Sequence, residues 1–142
     1  MRFFITSACL AVVLLQLAAC ETTALNLASA RPVPPERIVQ LPNAVTGSEA
    51  SQITVTRDSG LYGSGLPILL SINKRDVARF RTEETLTLSL PPGEHLISVV
   101  ANPSLGSSSR EYEVNLKPGA RTFYRISITQ GGVVFQRTSE TQ

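Results

Sequence analysis

The chain is expected to fold as an all-β protein, an antiparallel β-sandwich of seven to eight strands. Three observations lead there. From about residue 51 onward, apolar and polar residues alternate with the period of two that belongs to half-buried strands. The alternating runs are short and separated by Pro and Gly. No stretch after residue 51 keeps the 3.6-residue period of a helix.

The strands follow in order. Ile53 and Val55 alternate with Thr54 and Thr56, and Ile68, Leu70 and Ile72 share one face. Val77-Ala78-Arg79-Phe80 follows a polar turn at Asn73-Lys74-Arg75-Asp76. Leu86, Leu88 and Leu90 alternate with Thr85, Thr87 and Ser89. Leu96 to Ala101 is apolar on nearly both faces, as a central strand should be. Tyr112, Val114 and Leu116 alternate with Glu111, Glu113 and Asn115. Tyr124, Ile126 and Ile128 obey the same rule, and Val133 and Phe135 close the series.

The breaks carry turn chemistry. Pro91-Pro92-Gly93-Glu94 and Lys117-Pro118-Gly119-Ala120 place Pro before Gly, the preference of a type II turn, whose third residue needs a positive φ. Gln130-Gly131-Gly132 suits a tight hairpin.

The N-terminal third has a different texture. Arg2 precedes Phe3 to Ala19, a mostly apolar run of 17 residues, which is the outline of a secretory leader. Leu17-Ala18-Ala19-Cys20 abuts that run and reads as a lipobox, with cleavage before Cys20 and a thioether from its thiol to diacylglycerol. Two or three acyl chains then give stable membrane anchoring. Ala28-Ser29-Ala30 is a competing A-x-A site, but Glu21, Thr22, Thr23 and Asn26 separate it from the apolar run. Similarity to Gram-negative lipoproteins, in which Asp after the cysteine retains the protein at the inner membrane, favours the outer membrane here, since Glu21 follows Cys20. Which side of that membrane the domain faces stays open.

The expected organisation is a cleaved leader over 1–19, a lipidated cysteine and disordered Pro-rich tether over 20–51, a sandwich over 52–138 and a flexible tail over 139–142. Pro32, Pro34, Pro35 and Pro42 interrupt helix and ladder alike in the tether. The alternative there is a short edge strand over Arg37 to Leu41.

Composition narrows the function. Removing 19 leader residues from 142 leaves 123, enough for one domain. Cys9 leaves with the leader and Cys20 is lipidated, so no disulfide and no thiolate metal site is expected. Without Arg2, 12 basic residues face 11 acidic ones, which gives no electrostatic footprint for nucleic acid. Ten of those basic residues are Arg, a side chain suited to phosphate and carboxylate, so an anionic envelope polymer is a conceivable partner.

Candidate chemistry is sparse. His95 is the lone histidine, without a second imidazole for a metal or a G-x-S-x-G context for a nucleophile; a surface position at the start of a strand is expected. Glu83-Glu84 reads as a solvated turn, since adjacent strand residues point to opposite faces. Glu111 and Glu113 share a wet face and protect an edge. The Gly-rich loop Ser59 to Pro67 carries Leu61 and Tyr62, which either meet a ligand or partner or fold back over the sandwich end. Arg57, Arg75, Arg79 and Arg81 are expected to gather near the first hairpin, with Arg79 and Arg81 on one face.

The run Val77-Ala78-Arg79-Phe80 and then Leu86-Thr87-Leu88-Ser89-Leu90-Pro91-Pro92-Gly93-Glu94-His95, with Leu116-Lys117-Pro118-Gly119-Ala120 and Phe123-Tyr124-Arg125-Ile126 after it, resembles PEGA-type surface domains and related bacterial lipoprotein domains of unknown function. The resemblance covers about residues 52 to 129. It implies a prealbumin-like β-sandwich used for binding or as a structural module, with no catalytic residues to transfer. One departure is that the family's Asp-Gly turn is replaced by Asn73 to Asp76, so a different hairpin geometry is expected. The expectation is therefore a non-enzymatic, membrane-anchored lipoprotein that needs no cofactor and presents its sandwich to an envelope protein or scaffold. A glycan or small-ligand binder using the 59–67 loop is the alternative, and a hydrolase a distant third.

Overall fold

The computed structural model describes residues 22–43, 45–61, 63–105, 107 and 109–139. The leader, Cys20, Tyr62 and most of the C-terminal tail lie outside the described residues. The strands are β1 (Arg31–Pro32), β2 (Ser51–Arg57), β3 (Ile68–Ile72), β4 (Arg75–Phe80), β5 (Glu84–Leu90), β6 (Gly93–Ala101), β7 (Ser109–Leu116), β8 (Arg121–Thr129) and β9 (Gly132–Thr138). They form a five-stranded sheet, β1-β5-β2-β8-β9, packed on a four-stranded sheet, β4-β3-β6-β7. The all-β sandwich read from alternation is the fold, with nine strands among the described residues. It is mixed rather than purely antiparallel, because β2 pairs in parallel with β8 and β1 in parallel with β5.

Strand alternation sets which side chains enter the core. Ile53 and Val55 of β2 point inward beside Leu88 of β5 and Tyr124 and Ile126 of β8. Opposite them stand Ile68, Leu70 and Ile72 of β3 with Ile97 and Val99 of β6. β6, apolar on both faces in the sequence, lies between β3 and β7. The outward face of the five-stranded sheet carries threonine pairs instead, Thr54 with Thr87 and Thr56 with Thr85, each pair of hydroxyls 3.0 Å apart. On one open side Phe135 of β9 stacks on Tyr124 at 4.7 Å and meets Tyr112 of β7 at 5.7 Å, closing the gap between the sheets.

The expected tether is a strap at its described residues. Val33 is buried at 4 % exposure within the core, and Ile38 packs partly buried against it. The strap begins on β8 and β2: the Thr22 N–H donates to the Ile128 carbonyl at 3.4 Å, and Thr23 and Ser59 exchange backbone bonds of 2.9 and 3.0 Å. Ala24, Leu25 and Leu27 then lie over Thr56, Phe123 and Arg125. Arg31-Pro32 adds β1 to the edge of β5, and the segment crosses to the second sheet, where Ile38 bridges Ala78 and the Val39 N–H donates to the Val77 carbonyl at 2.8 Å. The prolines break periodicity without preventing edge pairing, since Pro32 and Pro34 need no ladder donor of their own. Of the alternative edge strand over Arg37 to Leu41, a bridge and its neighbouring bonds are what form.

The first hairpin also differs from expectation. β3 and β4 are joined by two residues, Asn73 and Lys74, with φ of 50° and 64°. Positive φ at both central positions is the mark of a type I′ turn, the geometry that Asp-Gly favours, reached here without glycine. Asn73 is held there because its Oδ1 accepts from the Leu96 N–H at 2.9 Å and its own N–H donates to the Leu96 carbonyl at 2.8 Å. Gly93 and Gly119 have the positive φ that the Pro-Gly turns anticipated, and the Ala120 N–H closes its turn on the Lys117 carbonyl.

Two measurements check these assignments. Val33→Ala is expected to cost about 2 kcal/mol of stability in urea unfolding, whereas an unaltered midpoint would mean the strap does not pack. Lys74→Gly should stabilise by about 0.5–1 kcal/mol, because glycine occupies the left-handed region without a Cβ penalty. A lower midpoint would contradict the type I′ assignment.

Candidate functional site

Connections gather at two ends of the sandwich. One end, the loop end, carries the connections 58–67, 81–83, 102–105 and 130–131. The other, the cleft end, carries Asn73-Lys74, Pro91-Pro92 and Pro118-Gly119. The sequence-derived candidates Leu61, Arg79 and Arg81 each lie toward the loop end.

The loop end is built around Arg57. Counting along β2, Ser51, Ile53, Val55 and Arg57 share the inward face, so the guanidinium enters the end of the core and is 2 % exposed. It donates to three carbonyls: Leu66 at 2.6 Å, Phe80 at 2.9 Å and Gly63 at 2.7 Å. The first and last belong to the Gly-rich loop, so this buried cation fastens that loop to the end of β4. Desolvation lowers its pKa to about 10 while the charge of Glu84 pulls the other way, so Arg57 stays protonated at neutral pH. The expected surface cluster of four arginines therefore loses Arg57 to the interior, while Arg75, Arg79 and Arg81 are exposed.

The loop approaches β8 at Gly63. Its φ is 67°, and a Cβ there would lie 2.5 Å from Ile128 Cδ1, so the position needs glycine on both counts. The Ser64 N–H donates to the Leu61 carbonyl at 3.2 Å, and Thr82 Oγ1 donates to the Ser64 carbonyl at 3.2 Å, tying in the neighbouring connection. Leu61 does not fold back over the sandwich. It is 94 % exposed.

Beside Arg57, Asp58 is 1 % exposed and holds the start of the strap. Arg125 donates to it through Nε at 3.1 Å and also through Nη2, and Thr22 Oγ1 donates at 3.1 Å. Desolvation pushes this carboxyl above its ordinary value, against the opposing pull of Arg125 and Thr22. Thr22 Oγ1 in turn accepts from the Ile128 N–H at 3.1 Å. Thr22, the first described residue, is thus fixed at the loop end.

Glu83-Glu84 is not a solvated pair. Glu84 is buried, pairs with Arg37 of the strap and accepts from the Arg81 N–H at 2.7 Å; Glu83, at φ 66°, lies 3.6 Å from Arg31. Both carboxylates pair with arginines of the strap.

His95 is likewise interior, at 6 % exposure, where a surface position was expected. Its Nε2 lies 2.8 Å from the Pro91 carbonyl and its Nδ1 3.1 Å from Asn73 Nδ2. A neutral ring protonated on Nε2 satisfies both, with the amide as donor to Nδ1. This imidazole ties the Pro-Pro turn to the first hairpin. Next to it lies a cleft of about 390 Å³ whose walls include Leu41, Pro42, Ile72, Val77 and Leu90, with Arg75 at its lining. Among the described residues no cluster of three or more His, Cys, Asp or Glu could hold a metal, and every buried side-chain nitrogen or oxygen has a hydrogen-bond partner.

Reasoning from sequence passed over Arg57 and Asp58 as interior residues. Extending the parity of Ile53 and Val55 by one step would have flagged Arg57. Nothing local links Asp58 to Arg125 or Thr22. No family model matches the chain, and no curated protein matches it. Among the described residues no helix is long and apolar enough to cross a membrane.

Arg57→Met keeps the length of the side chain and removes the donors. It is expected to cost about 2–3 kcal/mol and to speed amide exchange across residues 60–66, because buried carbonyls lose a charged partner. Equal protection in both proteins would refute the clamp.

Proposed function

We propose that the protein is a non-enzymatic lipoprotein of the bacterial envelope, anchored by acyl chains on Cys20 and presenting the sandwich as a binding or scaffolding module. The observation that carries this reading is Leu17-Ala18-Ala19-Cys20 directly behind an apolar run. The start of the described fold supports it. Thr22, two residues after Cys20, is bonded into the sandwich through its hydroxyl and backbone, so the described fold begins directly behind the proposed anchor. The polar groups of the interior also support a module rather than a catalyst: Arg57, Asp58, Glu84 and His95 are each occupied in holding a loop, the strap or a turn. The turn and strand pattern resembling PEGA-type domains belongs to the same reading, as does placement at the outer membrane, favoured by Glu21 after Cys20. The partner is an envelope protein or anionic envelope polymer.

Cells fed an alkyne-bearing palmitate should label the wild-type protein, and Cys20→Ser should abolish the label and leave the precursor uncleaved at that site. Undiminished labelling of Cys20→Ser would overturn the anchor.

A further inference from the structure

We infer that the loop end of the sandwich lies against the bilayer that holds the anchor, with Leu61 entering the interface and Arg79 and Arg81 meeting lipid phosphates. This rests on the lipid-anchor reading and adds an orientation and a contact surface to it.

The first argument is the length of free chain. A tether over 20–51 would leave the domain free to tumble well above the membrane. The strap removes that slack. Thr22 is fixed to Asp58 and Ile128, and Thr23 to Ser59, all at the loop end. Two peptide units separate Cys20 from Thr22, so covalent geometry keeps their Cα atoms within about 7.6 Å. Acyl chains on Cys20 would therefore leave the protein beside the 58–67 loop.

The second argument is where apolar surface is exposed. While Val39 at 47 % and Leu41 at 51 % lie on the strap, the two most exposed, Leu61 at 94 % and Leu105 at 78 %, belong with Leu66 at 38 % to connections at the loop end. The Asn102 N–H donates to the Pro67 carbonyl at 2.8 Å, which joins the two connections that carry them. Exposed leucines on adjacent loops are costly in water and suited to the boundary between headgroups and acyl chains. Arg57 holds the loop from behind through Gly63 and Leu66, so Leu61 stands on a fastened support.

The third argument is charge. At this end Asp58 pairs with Arg125, Glu84 with Arg37 and Glu83 with Arg31, while Glu36 of the strap and Glu111 near the start of β7 are exposed and carry no salt bridge among the described residues. Arg79 and Arg81 are exposed, and neither pairs with a carboxylate among the described residues. Two exposed guanidiniums at the same end as these leucines match an anionic lipid surface. The cleft end, with His95 and Lys74, would then face away from the membrane.

The test uses the full acylated protein reconstituted into vesicles of phosphatidylethanolamine and phosphatidylglycerol. Ser64→Cys at the loop end and Lys74→Cys at the cleft end each carry an environment-sensitive fluorophore, and nitroxide groups on the lipid chains act as quenchers. Intact mass is read first. A mature chain without acyl mass overturns the anchor and the orientation together. With the acyl mass present, quenching of the Ser64 label several-fold above that of the Lys74 label is expected; equal or reversed quenching overturns the orientation and leaves the anchor standing. Adding Leu61→Asp with Arg79→Glu and Arg81→Glu should reduce quenching of the Ser64 label without changing the urea midpoint. Undiminished quenching there would overturn the assignment of these three side chains to the interface.

Discussion

The open side between β5 and β4 is where the sandwich would otherwise fail. Without β1, β5 would end its sheet as β4 ends the other, and an apolar core lies between them. The segment from Arg31 to Val39 seals the gap by pairing with β5, placing Val33 in the core, joining Arg37 to the buried Glu84 and pairing with β4 at Ala78. The opposite side is closed by aromatic packing of Tyr112 and Tyr124 on Phe135 and needs no added segment. A β-sandwich must cover such edges to avoid pairing with other chains, and this one covers β5 and part of β4 with its own N-terminal residues.

Much of the remaining geometry follows from that wrapping. To reach the β5 edge the strap must first cross the outward face of the five-stranded sheet, and it is fastened there through Asp58, Arg125 and Thr22. Four of the buried polar groups, Arg57, Asp58, Glu84 and His95, hold a loop, a turn or the strap in place. Arg57 makes three bonds to carbonyls from a position that alternation assigns to the interior. A buried cation of this kind is tolerated only when its donors are satisfied, which is why the Gly-rich loop must come to it.

This wrapping changes how a lipid anchor would act. On a free tether of about thirty residues, an acylated cysteine would set only the distance of the domain from the membrane. With the strap packed, it would also set the face presented. Leu61, Leu105 and the exposed arginines at the loop end would then be the inner surface of one oriented module, and the apolar cleft beside His95 its outer surface.

Read by itself, the sequence determined the sandwich class, the alternation that sends Ile53, Val55, Ile68 and Leu70 inward, the central place of β6 and the positive φ at Gly93 and Gly119. All of these are set by residues within a few positions of one another, where period and turn chemistry act. What the tertiary structure alone decided are contacts between distant parts of the chain. Parallel pairing of β2 with β8, the strap in place of a tether, the interior positions of Glu84 and His95, and the meeting of Asp58 with Thr22 and Arg125 are of this kind. The 22–39 stretch has no period to read because its partners are the edges of two different sheets. Such a segment is ordered by the surfaces it seals rather than by any propensity of its own.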